Sequence, residues 1–407
     1  MTAIMSDWTQ TTIGALGRVL TGRTPSSAKS KLFGSEYPFI TPTDIQEGQH
    51  FVRTERFLSE GGLQSQSSLL LPPKAVCFVC IGATIGKICI TDRPSFTNQQ
   101  INSIIVDQRE HDPRFVYHLL RFHAGRIKAQ AGGAATPIVN KTAFSSVEVL
   151  VPELSVQQYI GAILSGYDDL IENNVRRIKL VKNIAQTVFQ AARTRSSKDW
   201  ELVPISNLYA GLYDGPHATP KPSESGPIFL GIGNVTERGE LDLSGIRHIA
   251  EQDFAMWTRR VLPVPGDIVF TYEATLHRYA MIREGFRGCL GRRLALIRPD
   301  AERVDPYFLL YSMLDDEWRR EVTSKIISGA TVDRVPLISF PRFQIRVPTL
   351  AVQREIGASI RACEELADNC SRRNRILRAT RDFLIPKLIS GEIGLEYSDT
   401  ETACQIA

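Results

Sequence analysis

The stretch Gly82-Ala83-Thr84-Ile85-Gly86-Lys87 has the residue types of a phosphate-binding loop without its spacing. A nucleotide-cradling loop of that kind needs four residues between its glycines and a Ser or Thr after the lysine to reach the magnesium. Here three residues separate the glycines and Ile88 follows the lysine, so nucleotide hydrolysis is not expected. What remains is a tight turn presenting Thr84 and Lys87. A comparable position further on, Glu273-Ala274-Thr275-Leu276-His277-Arg278, lacks glycines but presents Thr275, His277 and Arg278. A turn that holds Lys or Arg forward suits a DNA groove or a phosphate, and it suits a plain surface turn as well. Polar side chains follow each turn: Asn98-Gln99-Gln100 after the first, Arg292-Arg293 after the second. Asn and Gln pair bidentately with adenine and Arg with guanine, each good pair discriminating by about 1–3 kcal/mol. The same side chains also cap loops, and spacing does not separate the two roles.

Other chemistries fail on spacing. Cys77-x-x-Cys80 lies in an apolar run where residues three apart point to opposite faces of a strand, and no second ligand pair follows. Core packing explains it better than metal. The seven histidines (50, 111, 118, 123, 217, 248 and 277) form no His-Glu-x-x-His, and no Gly-x-Ser-x-Gly elbow occurs. There is no Asn/Asp-Pro-Pro-aromatic tetrapeptide of amino-methyltransferases, no Gly-rich S-adenosylmethionine loop, no helicase motif and no Pro-Asp…Glu-x-Lys nuclease centre. The expectation is a chain with no catalytic residue, no metal and no cofactor of its own.

At 407 residues, 43% hydrophobic and 23% charged, the chain has material for two to four domains with real cores. No apolar run reaches the ~20 residues of a membrane span, and Met1-Thr2-Ala3-Ile4-Met5-Ser6-Asp7 lacks the layout of a signal peptide. Seven scattered cysteines fit a reducing compartment, so a cytoplasmic location is expected. The net charge of +4 is modest. It is unevenly spread: Arg259 to Arg298 holds eight arginines against three acids, Asp267, Glu273 and Glu284. Such a run neutralises phosphates if it faces DNA, or is simply balanced by acids elsewhere.

The elements that must position these residues are set by a duplication. Val151-Pro152-Glu153-Leu154-Ser155-Val156-Gln157 recurs as Val347-Pro348-Thr349-Leu350-Ala351-Val352-Gln353, with Ile160-Gly161-Ala162 and Arg176-Arg177 matched by Ile356-Gly357-Ala358 and Arg372-Arg373. Twelve of the thirty positions from 151 to 180 are identical without a gap. Each copy has the three-four apolar alternation of a packed helical seam, in the first through Val156, Ile160, Ile163, Tyr167, Leu170, Ile178, Val181, Ala185 and Val188. A rod of some 39 residues would be roughly 58 Å long, too narrow in its stripe for an ordinary core, so the two copies are expected to bury each other. Two independent helical arms remain the other possibility. Pro386 should kink or end the second rod.

The blocks before the rods echo each other faintly. Each has strands entering polar turns (Pro38-Phe39-Ile40 into Thr43 to Gly48; Pro227 to Leu230 into Gly233 to Gly239) and a proline turn feeding a buried strand. Each then has a helix after a proline (Pro113 or Pro306), a Gly-Ala turn at Gly133-Ala134 or Gly329-Ala330, and a last strand entering the rod. The expected fold class is α/β (α+β): two similar mixed domains with mostly antiparallel sheets, separated by two long antiparallel helices that form an intrachain coiled coil with pseudo-twofold symmetry. The boundaries follow as 1–150, first domain; 151–198, first helix; 199–346, second domain; 347–393, second helix; and 394–407, a C-terminal tail.

Two unlike globes separated by matching long helices resemble the specificity (S) subunits of type I restriction–modification systems. The doubled Val-Pro-x-Leu-x-Val-Gln…Ile-Gly-Ala openings, the turn at Gly82 to Lys87 with Asn98-Gln99 after it, and the ending Lys387-Leu388-Ile389-Ser390-Gly391-Glu392-Ile393 carry the resemblance, over nearly the whole chain. It departs from the pattern in the second globe, which lacks the Gly-Lys turn, and at Pro386. The resemblance implies two target-recognition domains, each reading one half of a bipartite double-stranded DNA site. It also implies helices that set the gap and dock two modification (methyltransferase) subunits, with restriction subunits hydrolysing ATP. The partners would carry S-adenosylmethionine and methylate adenine. The residues expected at DNA are Thr84, Lys87, Asn98, Gln99, Gln100, Thr275, His277, Arg278, Arg292 and Arg293. Those expected on the docking helices are Gln157, Arg176, Arg177, Gln353, Arg372 and Arg373. The competing readings are a stand-alone nuclease or methyltransferase with unrecognised motifs, and a coiled-coil adaptor that never touches DNA.

Overall fold

Amphipathic periodicity produces the two longest elements of the computed structural model, the helices Leu154–Ser196 and Leu350–Ile389. At 43 and 40 residues they are about 65 and 60 Å long. The structure describes residues 8–26, 30–46, 50–132, 136–329 and 332–393, without the side chains of 196 and 197. The expected turn at Gly133-Ala134, Ala330 of its counterpart, Glu47 and Gly48 of the first polar turn, and the 394–407 tail lie outside the described residues.

The chain divides into two compact units, Met1–Arg177 with Cys370–Ala407, and Ile178–Asn369. The division cuts both long helices near mid-length, so each unit holds one globe and a half of each helix. In the first unit Asp168 meets Arg381 and Asn174 meets Asn374; in the second Lys182 meets Glu364. Rising numbers on one helix meet falling numbers on the other, so the helices pack antiparallel, as their stripes require. Ile160, Leu164 and Ile171 are buried in the first unit, Ala185, Phe189, Ile356 and Ile360 in the second. Leu170, expected in the seam, is instead 54% exposed, because Leu164 and Ile171 already fill the inward positions one heptad apart. Pro386 does not end its helix: three residues follow it to Ile389, and its carbonyl accepts from the Ser390 amide at 3.0 Å. A proline in the last turn removes only its own bond to the preceding turn.

The two globes share one topology. Gly17–Thr21, Ile101–Val106, Val76–Val79 and Ile88–Ile90 lie side by side in that order, all antiparallel. Tyr209–Asp214, Leu294–Pro299, Ile268–Thr271 and Tyr279–Met281 repeat the arrangement. A second sheet of each globe contains one parallel pair, Phe33–Ile40 with Phe96–Thr97, or Ser223–Leu230 with Gly288–Leu290. The central strands, Val76–Val79 and Ile268–Thr271, are buried throughout, which explains why they are continuously apolar. Cys77 lies in the first of them and Cys80 directly after it, both buried. Among the described residues no group of His, Cys, Asp and Glu could hold a metal ion, and no helix is long and apolar enough to cross a membrane.

Each globe is fastened to its long helix by the same clip. Gln157 is 1% exposed; its amide donates to the Pro152 carbonyl at 2.8 Å, and its carbonyl accepts from the Asp112 amide at 3.2 Å. Gln353 is 2% exposed and repeats both bonds with Pro348 (2.8 Å) and Asp305 (3.2 Å). Asp112 and Asp305 in turn cap the globe helices Pro113–Phe122 and Pro306–Met313, accepting two amides each at 2.9–3.0 Å. Proline at the first helical position and aspartate before it are the residues a helix start favours. Gly161 and Gly357 let the long helix approach this cap: an added Cβ would sit 2.5 Å from Asp112 Oδ1 or 2.0 Å from Asp305 Oδ1. Gly161→Ala and Gly357→Ala are therefore expected to destabilise the protein by about 1–3 kcal/mol each. Gly166→Ala, where nothing lies within 4 Å, should be neutral or stabilising by about 0.5–1 kcal/mol. Denaturant unfolding of the three variants checks the ordering.

Candidate nucleic-acid interface

Backbone pairing brings the two expected DNA segments of each globe together. In the first, the Cys80 amide donates to the Gln100 carbonyl at 2.7 Å, joining Asn98-Gln99-Gln100 to the root of the 82–87 turn. In the second, the Tyr272 amide donates to the Arg293 carbonyl at 3.2 Å, and Arg293 Nε lies 3.3 Å from Glu273 Oε1. The strands that follow, starting at Ile101 and Leu294, are topological equivalents. Gln99 and Arg292 thus occupy the same position, two residues before equivalent strands, and both are exposed. The Gln99 side chain is steadied by Thr24, whose hydroxyl donates to Oε1 at 2.7 Å.

Most of the other expected side chains are already engaged. The Lys87 ammonium donates to the carbonyls of Pro42 (3.2 Å) and Ile45 (2.9 Å), holding the 41–46 loop rather than projecting. Asn98 is buried and closes a turn: its Oδ1 accepts from the Gln100 amide at 3.1 Å and its Nδ2 donates to Gln100 Oε1 at 3.0 Å. Thr84 is half-buried in a single 3-10 turn. Thr275 is half-buried and its amide donates to the Glu273 carbonyl at 2.9 Å. His277 lies 3.2 Å from Thr323 Oγ1, and burial with Arg319 nearby lowers its imidazole below the usual range, so it is neutral at pH 7. Arg278 reaches Glu237 Oε1 at 3.4 Å.

The arginine run from 259 to 298 is largely neutralised. Arg260 pairs with Asp214, Arg287 with Glu251, Arg298 with Asp267 and Arg283 with Glu364. With Arg278 and Arg293 also paired, the run is not an open basic field, and exposed Arg259 and Arg292 stand out from it.

Of the residues expected for docking, Gln157 and Gln353 are buried in the clips and present no docking face. Arg176, Arg177, Arg372 and Arg373 are exposed, Arg176 pairing with Glu172 one turn away. Leu170 and its repeat Leu366 accompany them, 54% and 48% exposed.

A buried carboxylate on each long helix, missed as a functional position in the sequence, fixes the frame behind these surfaces. Glu364, 1% exposed, accepts from Lys182 Nζ at 2.7 Å, from Tyr311 Oη at 2.6 Å and from Arg283. Burial alone would raise its carboxyl, but Lys182 and Arg283 outweigh that and hold it below the usual 4.5. Its repeat, Asp168, is also 1% exposed and binds Arg381, with Arg121 at 3.9 Å and His118 Nε2 at 3.6 Å. Here burial wins and pushes the carboxyl up against the pull of Arg381. Burial likewise keeps the His118 imidazole well below its usual range, hence neutral. The signal in the sequence was the acidic match Asp168 to Glu364 at an otherwise inward position.

Comparison with known proteins gives a consistent answer. A family model described as the type I restriction modification DNA specificity domain matches residues 5–183. The HindI specificity subunit of the type I restriction enzyme of Haemophilus influenzae is 32% identical over 179 residues, 43% of this chain and 39% of that protein. The MjaIX specificity subunit of Methanocaldococcus jannaschii is 24% identical over 420 residues, covering 97% of this chain and 95% of its own length. Among solved structures, the type I restriction–modification S subunit from M. genitalium shares the fold with a TM-score of 0.65 at 14% identity, covering 96% and 98% of the two chains.

The Glu364 cluster predicts an acid dependence with a definite sign. A carboxyl held low in the folded state contributes its full stabilisation above the unfolded value near 4.5, and loses it as pH falls through the lower folded value. Wild-type protein should lose stability below about pH 4.5. Glu364→Gln should be less stable at pH 7 by about 1–3 kcal/mol, with a flatter acid limb in thermal melts recorded from pH 7 to 3. Parallel limbs would mean that Glu364 is not the charged group.

Proposed function

We propose a division of labour for a chain that belongs to the specificity (S) subunits of type I restriction–modification systems. Each globe reads one half of a bipartite, asymmetric duplex DNA target, while methyl transfer to adenine and ATP-driven restriction belong to partner subunits acting with it in the cytoplasm. The chain itself is the DNA specificity subunit and not the catalyst.

The observation that supports the reading most is the pair Gln99 and Arg292. Two globes of one topology present different exposed side chains at the same position before equivalent strands. Glutamine matches the donor–acceptor edge of adenine and arginine that of guanine, so a common frame would read unlike half-sites. Methylation of an adenine within a duplex requires the base to leave the stack. That step needs the active site of a modification subunit, which this chain would hold in place.

Two equivalent docking positions fit the repeat. Leu170 with Arg176 and Arg177, and Leu366 with Arg372 and Arg373, are identical in both copies and exposed in both, whereas the other repeated residues of the clip are buried. An exposed leucine beside arginines is the composition of an interface core and its rim. One modification subunit would sit on each copy, with restriction subunits joining the assembled complex.

Exchanging residues 1–150 for the first globe of another S subunit should change one half-site of the methylated motif and leave the other intact, as read by methylome sequencing of the host. Change in both halves, or in neither, would contradict the assignment. Leu170→Asp combined with Leu366→Asp should abolish co-purification with the modification subunits without lowering the melting temperature of the isolated chain. Native mass spectrometry of Leu170→Asp alone should show one modification subunit retained instead of two.

A further inference from the structure

A cavity of about 450 Å³ opens in the first globe between the 82–87 turn and the helices Pro113–Phe122 and Ala124–Lys128. Its lining includes three cations, Lys87, Arg121 and Lys128, and no carboxylate. A second cavity of similar volume in the same globe mixes His50, Lys74 and Arg114 with Asp112 and Asp169, so one-signed charge distinguishes the first.

The three cations differ in how they are held. Lys87 is fixed by the neutral carbonyls of Pro42 and Ile45, which orient its ammonium without cancelling its charge. Arg121 is offset by carboxylates, with Asp382 at 3.1 Å and Asp168 at 3.9 Å. Lys128 stands exposed on the rim. The walls between them are low: Gly125 has nothing within 4 Å of a Cβ position, and Gly86 adopts φ +101°, which a side chain rarely tolerates. A nucleobase would find no surface to lie on, because the one lining aromatic, Tyr117, is 3% exposed and stacking needs an open ring face. An anionic phosphate ester meets the charges of Lys87 and Lys128 instead, since carboxylates offset only Arg121.

We propose that this cavity seats a backbone phosphodiester of the target duplex, anchoring the first globe without reading sequence. The inference rests on the DNA-reading role above and adds an interaction of the positioning kind. It gives the failed phosphate-loop motif a use: its turn forms one wall of an anion seat in place of a nucleotide-hydrolysing cradle.

The test uses the chain assembled with its modification subunits, and a fluorescent duplex carrying the methylated motif of the host. Both substitutions, Lys128→Gln and Gly125→Glu, fall at exposed positions, so the fold is undisturbed. Removing one cation from a DNA phosphate lowers the slope of log K against log salt by about one. Lys128→Gln should therefore flatten the slope by about one, with affinity reduced equally on matched and unmatched duplexes. Gly125→Glu, which puts an anion at the mouth, should weaken binding further at low salt. Adenosine monophosphate and inorganic phosphate, titrated against the same complex without DNA, should bind neither variant nor wild type measurably. Saturable binding of either, abolished in Lys128→Gln with the DNA slope unchanged, would make the cavity a small-anion site and overturn the proposal. Unchanged slopes in both variants, with motif binding intact, would overturn the phosphate seat and leave the DNA-reading role standing. Wild-type complex that binds no duplex at all would remove that role itself.

Discussion

Two helices of this length are useful as a frame only if one register is better than all the others, and apolar stripes alone do not ensure that. The Asn174 Nδ2 to Asn374 Oδ1 bond, 2.9 Å long between side chains 7% and 4% exposed, supplies the constraint. A slip along the seam would bury both amides against apolar neighbours, and an unsatisfied buried polar group costs about 1–3 kcal/mol. A buried asparagine pair is the best-attested register device of coiled coils for this reason. Asn374 Nδ2 also reaches the Ile171 carbonyl at 3.3 Å, so the pair is tied to backbone as well. Asp168–Arg381 in one unit and Lys182–Glu364 in the other raise the penalty further, because breaking a buried ion pair strands a charge.

What the duplication preserved and what it released follow from this frame. Pro152 and Pro348, Gln157 and Gln353, Gly161 and Gly357 are identical because each takes part in the same clip to a capped globe helix. The buried carboxylate survived in kind though not in detail. Asp168 faces His118 and Arg381 where Glu364 faces Tyr311, Lys182 and Arg283. Glu364 has Lys182 of the other helix at 2.7 Å and Arg283 of the globe against it, which hold its carboxyl low, whereas Asp168 has the globe's Arg121 only at 3.9 Å. Identity was lost at Gln99 and Arg292, where the side chain faces solvent and the common frame places no demand on it. On the proposed reading, those are the positions at which two copies of one ancestor are free to acquire different targets.

The repeat, the long helices, their antiparallel pairing and the paired strand plan were legible because apolar periodicity and turn residues act locally. The helix starts at Pro113 and Pro306 were visible for the same reason; their aspartate caps were not. Side-chain roles were not. Lys87 looked like a forward cation, yet two carbonyls from a loop some forty residues away in sequence claim its ammonium. Gln157 and Gln353 were expected on the docking helices, but both are buried in the clips, where repetition marks internal packing. The arginine run looked basic because its partners, Asp214, Glu251 and Glu364, lie outside it. Leu170 fitted the seam by spacing, but two inward residues had already filled the groove. Each difference comes from long-range packing, which no local pattern encodes.

On the proposed reading, two unlike globes imply a methylated site of a particular form. Single-molecule sequencing of methyladenine in the source genome, with and without this gene, reads that form out. The expected result is a methylated motif of two different specified halves separated by a fixed run of unspecified bases, absent when the gene is deleted. A motif that persists after deletion, or one that is continuous with no unread gap, would contradict it.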